Sequence, residues 1–180
     1  MKIISSIKAC ILGLACLSFT LSVQASDFLI PELKKFEPFV GHTYKGVFKS
    51  STPEKPMIDI SRWERHLNGT AIRIEHSLNE GEYGGESIIF FDRKAQKLRY
   101  FYFTTAVFFT EADVTFDGNI LISREKVTGN QNGITEVKSK AWLLDDGSMK
   151  TESQYLKNGK WIPGHSADYT RAPEAKVIFR

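Results

Sequence analysis

The chain has 180 residues, of which 42% are hydrophobic, 12% aromatic and 25% charged. This is the composition of a globular domain with a core, and it excludes a disordered, collagen-like or coiled-coil chain. With 24 Lys and Arg against 21 Asp and Glu, the net charge leaves no basic footprint, so no nucleic-acid partner is expected.

Residues 1–25 read as a secretory signal peptide. Lys2 and Lys8 form a charged start, Ala9 to Val23 is an apolar run, and Val23-Gln24-Ala25 is a small-residue cleavage site that makes Ser26 the new N-terminus. The competing reading, a transmembrane anchor, needs about 20 apolar residues, and this run is shorter. Cleavage after Ala25 places the product in the periplasm or outside the cell, with no transmembrane span in the mature chain. A lipoprotein anchored at Cys16 is the alternative. Cys10 and Cys16 are the only cysteines, so the mature chain has neither a disulfide nor a thiolate site. Residues 26–180 then form one domain with no linker.

Along that domain, Leu29, Leu33, Phe36 and Val40 recur at helical spacing, with Ser26 or Asp27 as cap, Pro31 in the first turn and Pro38 at the end. Two turns of helix are too short to stand alone, so this segment is expected to dock as a lid on the end of a sheet or barrel. From Thr43 the pattern alternates. Strands are expected at 43–49, 57–67, 70–79, 85–92, 97–104, 106–116, 119–127, 134–144, 148–157 and 160–171, with a short last one at 176–179. Asn68-Gly69, Gly84-Gly85, Asp117-Gly118, Asn132-Gly133, Asp146-Gly147 and Asn158-Gly159 supply turns between them. Short hairpin connections favour an all-β antiparallel up-and-down barrel of about ten strands with a short N-terminal helix, over a two-sheet sandwich.

A two-residue loop fixes its register. About Asn68-Gly69, Leu67 pairs with Thr70, Glu64 faces Arg73 and Arg62 faces Glu75, two opposite-charge pairs that mark an outer face. The inner face then carries Trp63, Ile72, Ile74, Leu67 and Leu78 together with Asp59, Ser61, Arg65 and His76. Polar groups on an inward face are costly unless paired or wetted. Trp63, Ser61, Ile72 and Ile74 therefore read as the wall of a ligand cavity with Arg65 and His76 as polar anchors, Arg65 forking onto an anion. The plainer alternative pairs Arg65 with Asp59 or puts it at the mouth, and makes His76 a satisfied internal histidine. About Asp117-Gly118, Val114 pairs with Leu121 and Glu111 opposes Arg124. About Asn158-Gly159, Tyr155 pairs with Ile162, and Glu152 opposes His165 as a surface pair or an acid–base pair.

Phe90, Phe91, Tyr100, Phe101, Tyr102, Phe103, Phe108 and Phe109 break the alternation. They read as core and rim, with a pocket wall or a homodimer surface as alternatives. No nucleotide-binding, zinc-protease, EF-hand or serine-hydrolase motif occurs. His66 and His76 fall on opposite faces, which argues against a three-ligand zinc site, while a single axial histidine for haem stays open. No cofactor or metal is expected.

Gly41-His42-Thr43-Tyr44, Trp63 before Asn68-Gly69, Phe91-Asp92 followed by Leu98-Arg99-Tyr100-Phe101, Asn158-Gly159-Lys160-Trp161 and Tyr169-Thr170-Arg171 together resemble the calycin-type barrels, the lipocalin-like proteins and their secreted bacterial relatives. Where lipocalins carry Gly-x-Trp, this chain has Tyr44 one place later. The resemblance implies a closed barrel with a cavity and no particular reaction. The functional expectation is an exported binding protein for a small, mostly apolar molecule with a polar or anionic end. The alternatives are a hydrolase or isomerase using His76 as general base in the same cavity, and an interaction protein of the cell envelope.

Overall fold

The computed structural model describes residues 28–130 and 132–180. The expected signal peptide, both cysteines and the caps Ser26 and Asp27 lie outside the described residues. Ten strands follow one another: His42–Phe48 (β1), Ile58–His66 (β2), Ala71–Leu78 (β3), Tyr83–Asp92 (β4), Lys97–Thr104 (β5), Phe109–Asp117 (β6), Ile120–Thr128 (β7), Ile134–Leu143 (β8), Met149–Lys157 (β9) and Lys160–Arg171 (β10). Each pairs antiparallel with its sequence neighbours, and β1 pairs with β10 from Tyr44↔Arg171 to Phe48↔Ala167. The sheet is thus a closed up-and-down barrel with no free edge, the arrangement that removes unpaired backbone donors and acceptors.

The first turn segment is tighter than an α-helix. Pro31–Phe36 forms a 3-10 helix with Pro31 in its first turn and no side-chain cap, a conformation suited to a short piece between two prolines. It plugs one end of the barrel. Leu33 and Phe36 are fully buried, each worth about 1.5–3 kcal/mol by the area it removes from water. Phe36 meets Phe116 edge-on at 5.0 Å, and Phe39 stacks on Trp63 at 5.0 Å. The Ile30 N–H donates to the Gly69 carbonyl at 3.0 Å. Gly69 adopts φ +85°, and a Cβ there would collide with the Phe28 carbonyl, so only glycine lets the plug approach the β2–β3 turn.

The β2–β3 register is the one expected from Asn68-Gly69, with Arg62↔Glu75, Trp63↔Ile74 and Glu64↔Arg73. Other turns differ. Gly84-Gly85 is no turn but lies inside β4, where a Cβ on either glycine would strike a neighbouring strand's backbone; the chain reverses instead at Asn79–Gly81. The β6–β7 pairing is two residues further along than expected, Val114↔Ser123 and Glu111↔Lys126. Its loop is Gly118-Asn119, with the positive φ at Gly118. An even shift keeps every side chain on its expected face. About Asn158-Gly159, Tyr155↔Ile162 holds, but a bulge between Pro163 and Ser166 brings Glu152 opposite Ser166. Residues 176–179 form no strand. The C-terminal segment runs back over the outside of β1–β3, with the Ala172 N–H donating to the Thr43 carbonyl at 2.8 Å and the Ile178 N–H to Ser77 Oγ at 3.0 Å.

The aromatic stretch splits between the two faces. Tyr100 and Tyr102 point inward, while Phe90 stacks on Phe101 and Phe103 meets Phe109 on the outer wall. No helix among the described residues is long and apolar enough to cross a membrane.

Candidate functional site

The plugged end carries the β2–β3, β4–β5, β6–β7 and β8–β9 turns. Above the plug the barrel encloses a cavity of about 600 Å³. Its lining reaches Phe108, Asn130 and Asn132 in the connections at the opposite end, so that end is the mouth. Trp63, Ile74, Ile89, Val114 and Leu121 supply apolar wall.

Of the residues the sequence singled out, Ser61, Trp63, Ile74 and His76 line this cavity. Ile72 is fully buried in the adjoining core, outside the lining. Arg65 also lies outside the lining. Its Nε donates to the Phe28 carbonyl at 3.3 Å, beside Gly69. Residue 65 sits at the end of β2 nearest the plug, so its long side chain is taken up by the plug's backbone. Asp59 pairs with His76, not with Arg65.

His76 is the middle of a hydrogen-bonded chain. The Asp59 carboxylate, only 1% exposed, lies 2.8 Å from His76 Nδ1, and Tyr169 donates to its other oxygen at 2.9 Å. A carboxylate accepts, so Nδ1 carries the proton and Nε2 faces Tyr102 Oη at 2.6 Å. Tyr102 Oη lies 2.9 Å from Tyr83 Oη. Burial pushes the Tyr102, Tyr83 and Tyr169 hydroxyls above their ordinary range, so all three stay protonated and able to donate. Tyr169 is positioned by Gly46 on β1: a Cβ there would overlap its ring.

A second polar centre stands on β7. Glu125, 7% exposed, accepts hydrogen bonds from Thr110 Oγ1 at 2.8 Å, Ser123 Oγ at 2.9 Å and Ser139 Oγ at 3.0 Å. Burial raises its carboxyl pKa, against the lowering effect of those three hydroxyls. The field of Glu125 adds to burial in raising Tyr83, Tyr100 and Tyr155.

His165, expected on the outer face, faces inward because of the bulge. It packs on Phe48 and Tyr155 and lines the cavity. Burial lowers its pKa, which keeps the ring neutral.

The sequence does not single out Glu125, Tyr83 and Tyr169, whereas Tyr102 belongs to the aromatic stretch for which a pocket wall is the alternative, and it lines the cavity. The available signal for Glu125 was parity: Leu121, Ser123, Glu125 and Val127 alternate on one face of β7. Among the described residues, no group of three His, Cys, Asp or Glu side chains is arranged to hold a metal ion.

No protein-family profile matches the chain, and no curated protein matches it. Among solved structures, the chain is similar to Rv2717c from M. tuberculosis, at 12% identity and a TM-score of 0.58, over 80% of this chain and 99% of that one. The likeness is one of fold.

Proposed function

We propose that the chain is an exported binding protein whose barrel holds a small, mostly apolar molecule with a polar end. The observation that carries this reading is the cavity of about 600 Å³ inside a plugged barrel. Its volume falls in the usual range for small-molecule sites, and its wall joins apolar side chains to a few convergent polar groups, the usual make-up of such sites. The calycin resemblance of the sequence agrees with this reading, and export rests on the charged, apolar and small-residue pattern of residues 1–25.

Two measurements test it. Native mass spectrometry of protein from its own host is expected to show a retained small molecule. Titration with the neutral fluorophore N-phenyl-1-naphthylamine is expected to show one saturable site, lost in Ile74→Trp, where the larger ring fills the cavity. Binding that survives this substitution would place the probe elsewhere and defeat the reading.

One observation favours a second reading, an enzyme. Asp59, His76, Tyr102 and Tyr83 form a carboxylate–imidazole–phenol relay that ends at the cavity. Both ring nitrogens of His76 are engaged, so a substrate proton would reach it only through Tyr102. A pH–rate profile that vanishes in His76→Gln, found with a broad substrate panel, would select this reading over simple binding.

A further inference from the structure

We infer that the cavity selects ligands whose polar end is a hydrogen-bond donor or a cation, such as a primary amine, over carboxylates of the same chain length. The inference rests on the binding reading above and names its ligand class. Two carboxylates, Asp59 and Glu125, are buried in the cavity lining, and among the described residues no Lys or Arg head group pairs with either. Arg65 is turned to the Phe28 carbonyl. Lys140 belongs to the cavity lining by its place on β8, but it alternates with the inward Ser139 and Ala141 and is exposed, so its head group turns to the outside. His165 is held neutral by burial, and His76 is already engaged by Asp59.

Glu125 is the sharper case. Its three hydroxyl partners supply hydrogen bonds without charge. A buried carboxylate without a cation costs stability, and such costs are kept where a site needs them.

The second polar chain points the same way. Asp59 draws a ring proton to His76 Nδ1; where Nε2 then accepts from Tyr102, Tyr83 is left to donate to Tyr102. The proton of Tyr83 is then committed, and its oxygen offers lone pairs to the cavity. The polar inventory is therefore acceptor-rich and negative. An alkylammonium brings three donors and the missing charge, whereas a carboxylate adds a further negative charge in a low-dielectric space.

The test is isothermal titration of the folded mature chain with octylamine, octanol and octanoate near neutral pH. Octylamine is expected to bind at least about tenfold more tightly than octanoate, with octanol between them. Glu125→Gln is expected to weaken octylamine about tenfold and to leave octanol unchanged. Octanoate binding as tightly as octylamine overturns the inference and leaves the binding reading standing, and this comparison needs no variant. An amine preference untouched by Glu125→Gln overturns the assignment to Glu125. If none of the three ligands binds and N-phenyl-1-naphthylamine does not bind either, the binding reading fails as well.

Discussion

Replacing Glu125 by Gln is expected to stabilise the ligand-free protein at neutral pH. The substitution keeps the shape of the side chain and removes its charge. Thr110, Ser123 and Ser139 hydroxyls can rotate to donate to the amide oxygen or accept from the amide nitrogen. Three hydrogen bonds to a charged acceptor become neutral ones, a loss of about 1 kcal/mol each at most. Against this stands the desolvation of a carboxylate that is 7% exposed, several kcal/mol even after relaxation. The direction of the Glu125 pKa decides between them: burial raises it above the ordinary 4.5 despite the hydroxyls, so desolvation is the larger effect. The expected net gain is about 1–3 kcal/mol. The pH dependence follows from the same sign. A raised folded-state pKa means that protonated Glu125 favours the native state. Its contribution is fully present below 4.5 and is lost as pH rises through the raised value. The stability difference between Glu125→Gln and wild type should therefore be near zero in acid and grow to a plateau toward neutral pH. Taking the difference cancels His165, whose lowered pKa acts oppositely, favouring the native state above 6.5 and withdrawing that support on acidification. Urea unfolding of both proteins across this range is the assay. A Glu125→Gln protein less stable than wild type by more than about 1 kcal/mol at neutral pH would show that the hydroxyl cradle outweighs desolvation, and would refute the argument.

Phe36→Ala should cost about 3–5 kcal/mol in urea unfolding, because the fully buried ring holds the plug against Phe116. Tyr169→Phe leaves one oxygen of buried Asp59 short of a donor and should cost about 1–3 kcal/mol. Gly46→Ala should cost about 1–3 kcal/mol by forcing the Tyr169 ring aside. Both changes disturb the same hydrogen bond, so their double mutant should be less damaged than the two losses added together, which a thermodynamic cycle measures. Arg65→Ala, which from sequence alone is expected to weaken ligand binding, should leave binding of N-phenyl-1-naphthylamine unchanged, since Arg65 lies outside the cavity lining; a loss of binding would return Arg65 to the site. Arg62→Ala, in an exposed pair with Glu64, should change stability by less than about 0.5 kcal/mol.

The fold was legible where local chemistry and pairing agree. Asn68-Gly69 is flanked by Arg62, Glu64, Arg73 and Glu75, whose charges match in one register only, and the structure adopts that register. Where turn residues alone carry the expectation, the structure departs from it. Asp117-Gly118 and Gly118-Asn119 both offer a glycine for the tight turn, and the charge pattern around them tolerates either, with Glu111 meeting Lys126 as well as it would meet Arg124. Gly84-Gly85 looks like a turn because glycine has two separate uses. Here it permits close strand approach, not a reversal. That difference depends on neighbouring strands and is not written locally.

The site was legible to the extent that it lies on the one hairpin whose register was secure. Ser61, Trp63, Ile74 and His76 follow from parity on β2 and β3, and all four line the cavity. Parity gives the face but not the height along the barrel axis. Arg65 and Asp59 share a face, yet Arg65 ends beside the plug and Asp59 meets His76. His165 needed a further fact, the bulge after Pro163, because one extra residue turns every later side chain of the strand to the other face. Glu125 illustrates a different limit. It sits between two outward cations, Arg124 and Lys126, and Arg124 pairs with Glu136 on the outside. Inside the barrel the same strand presents a carboxylate to hydroxyls on β6, β7 and β8. Three separate strands must converge before that carboxylate has a cradle. The polarity of the cavity, and with it the class of ligand it favours, is therefore a property of barrel closure and not of any single segment.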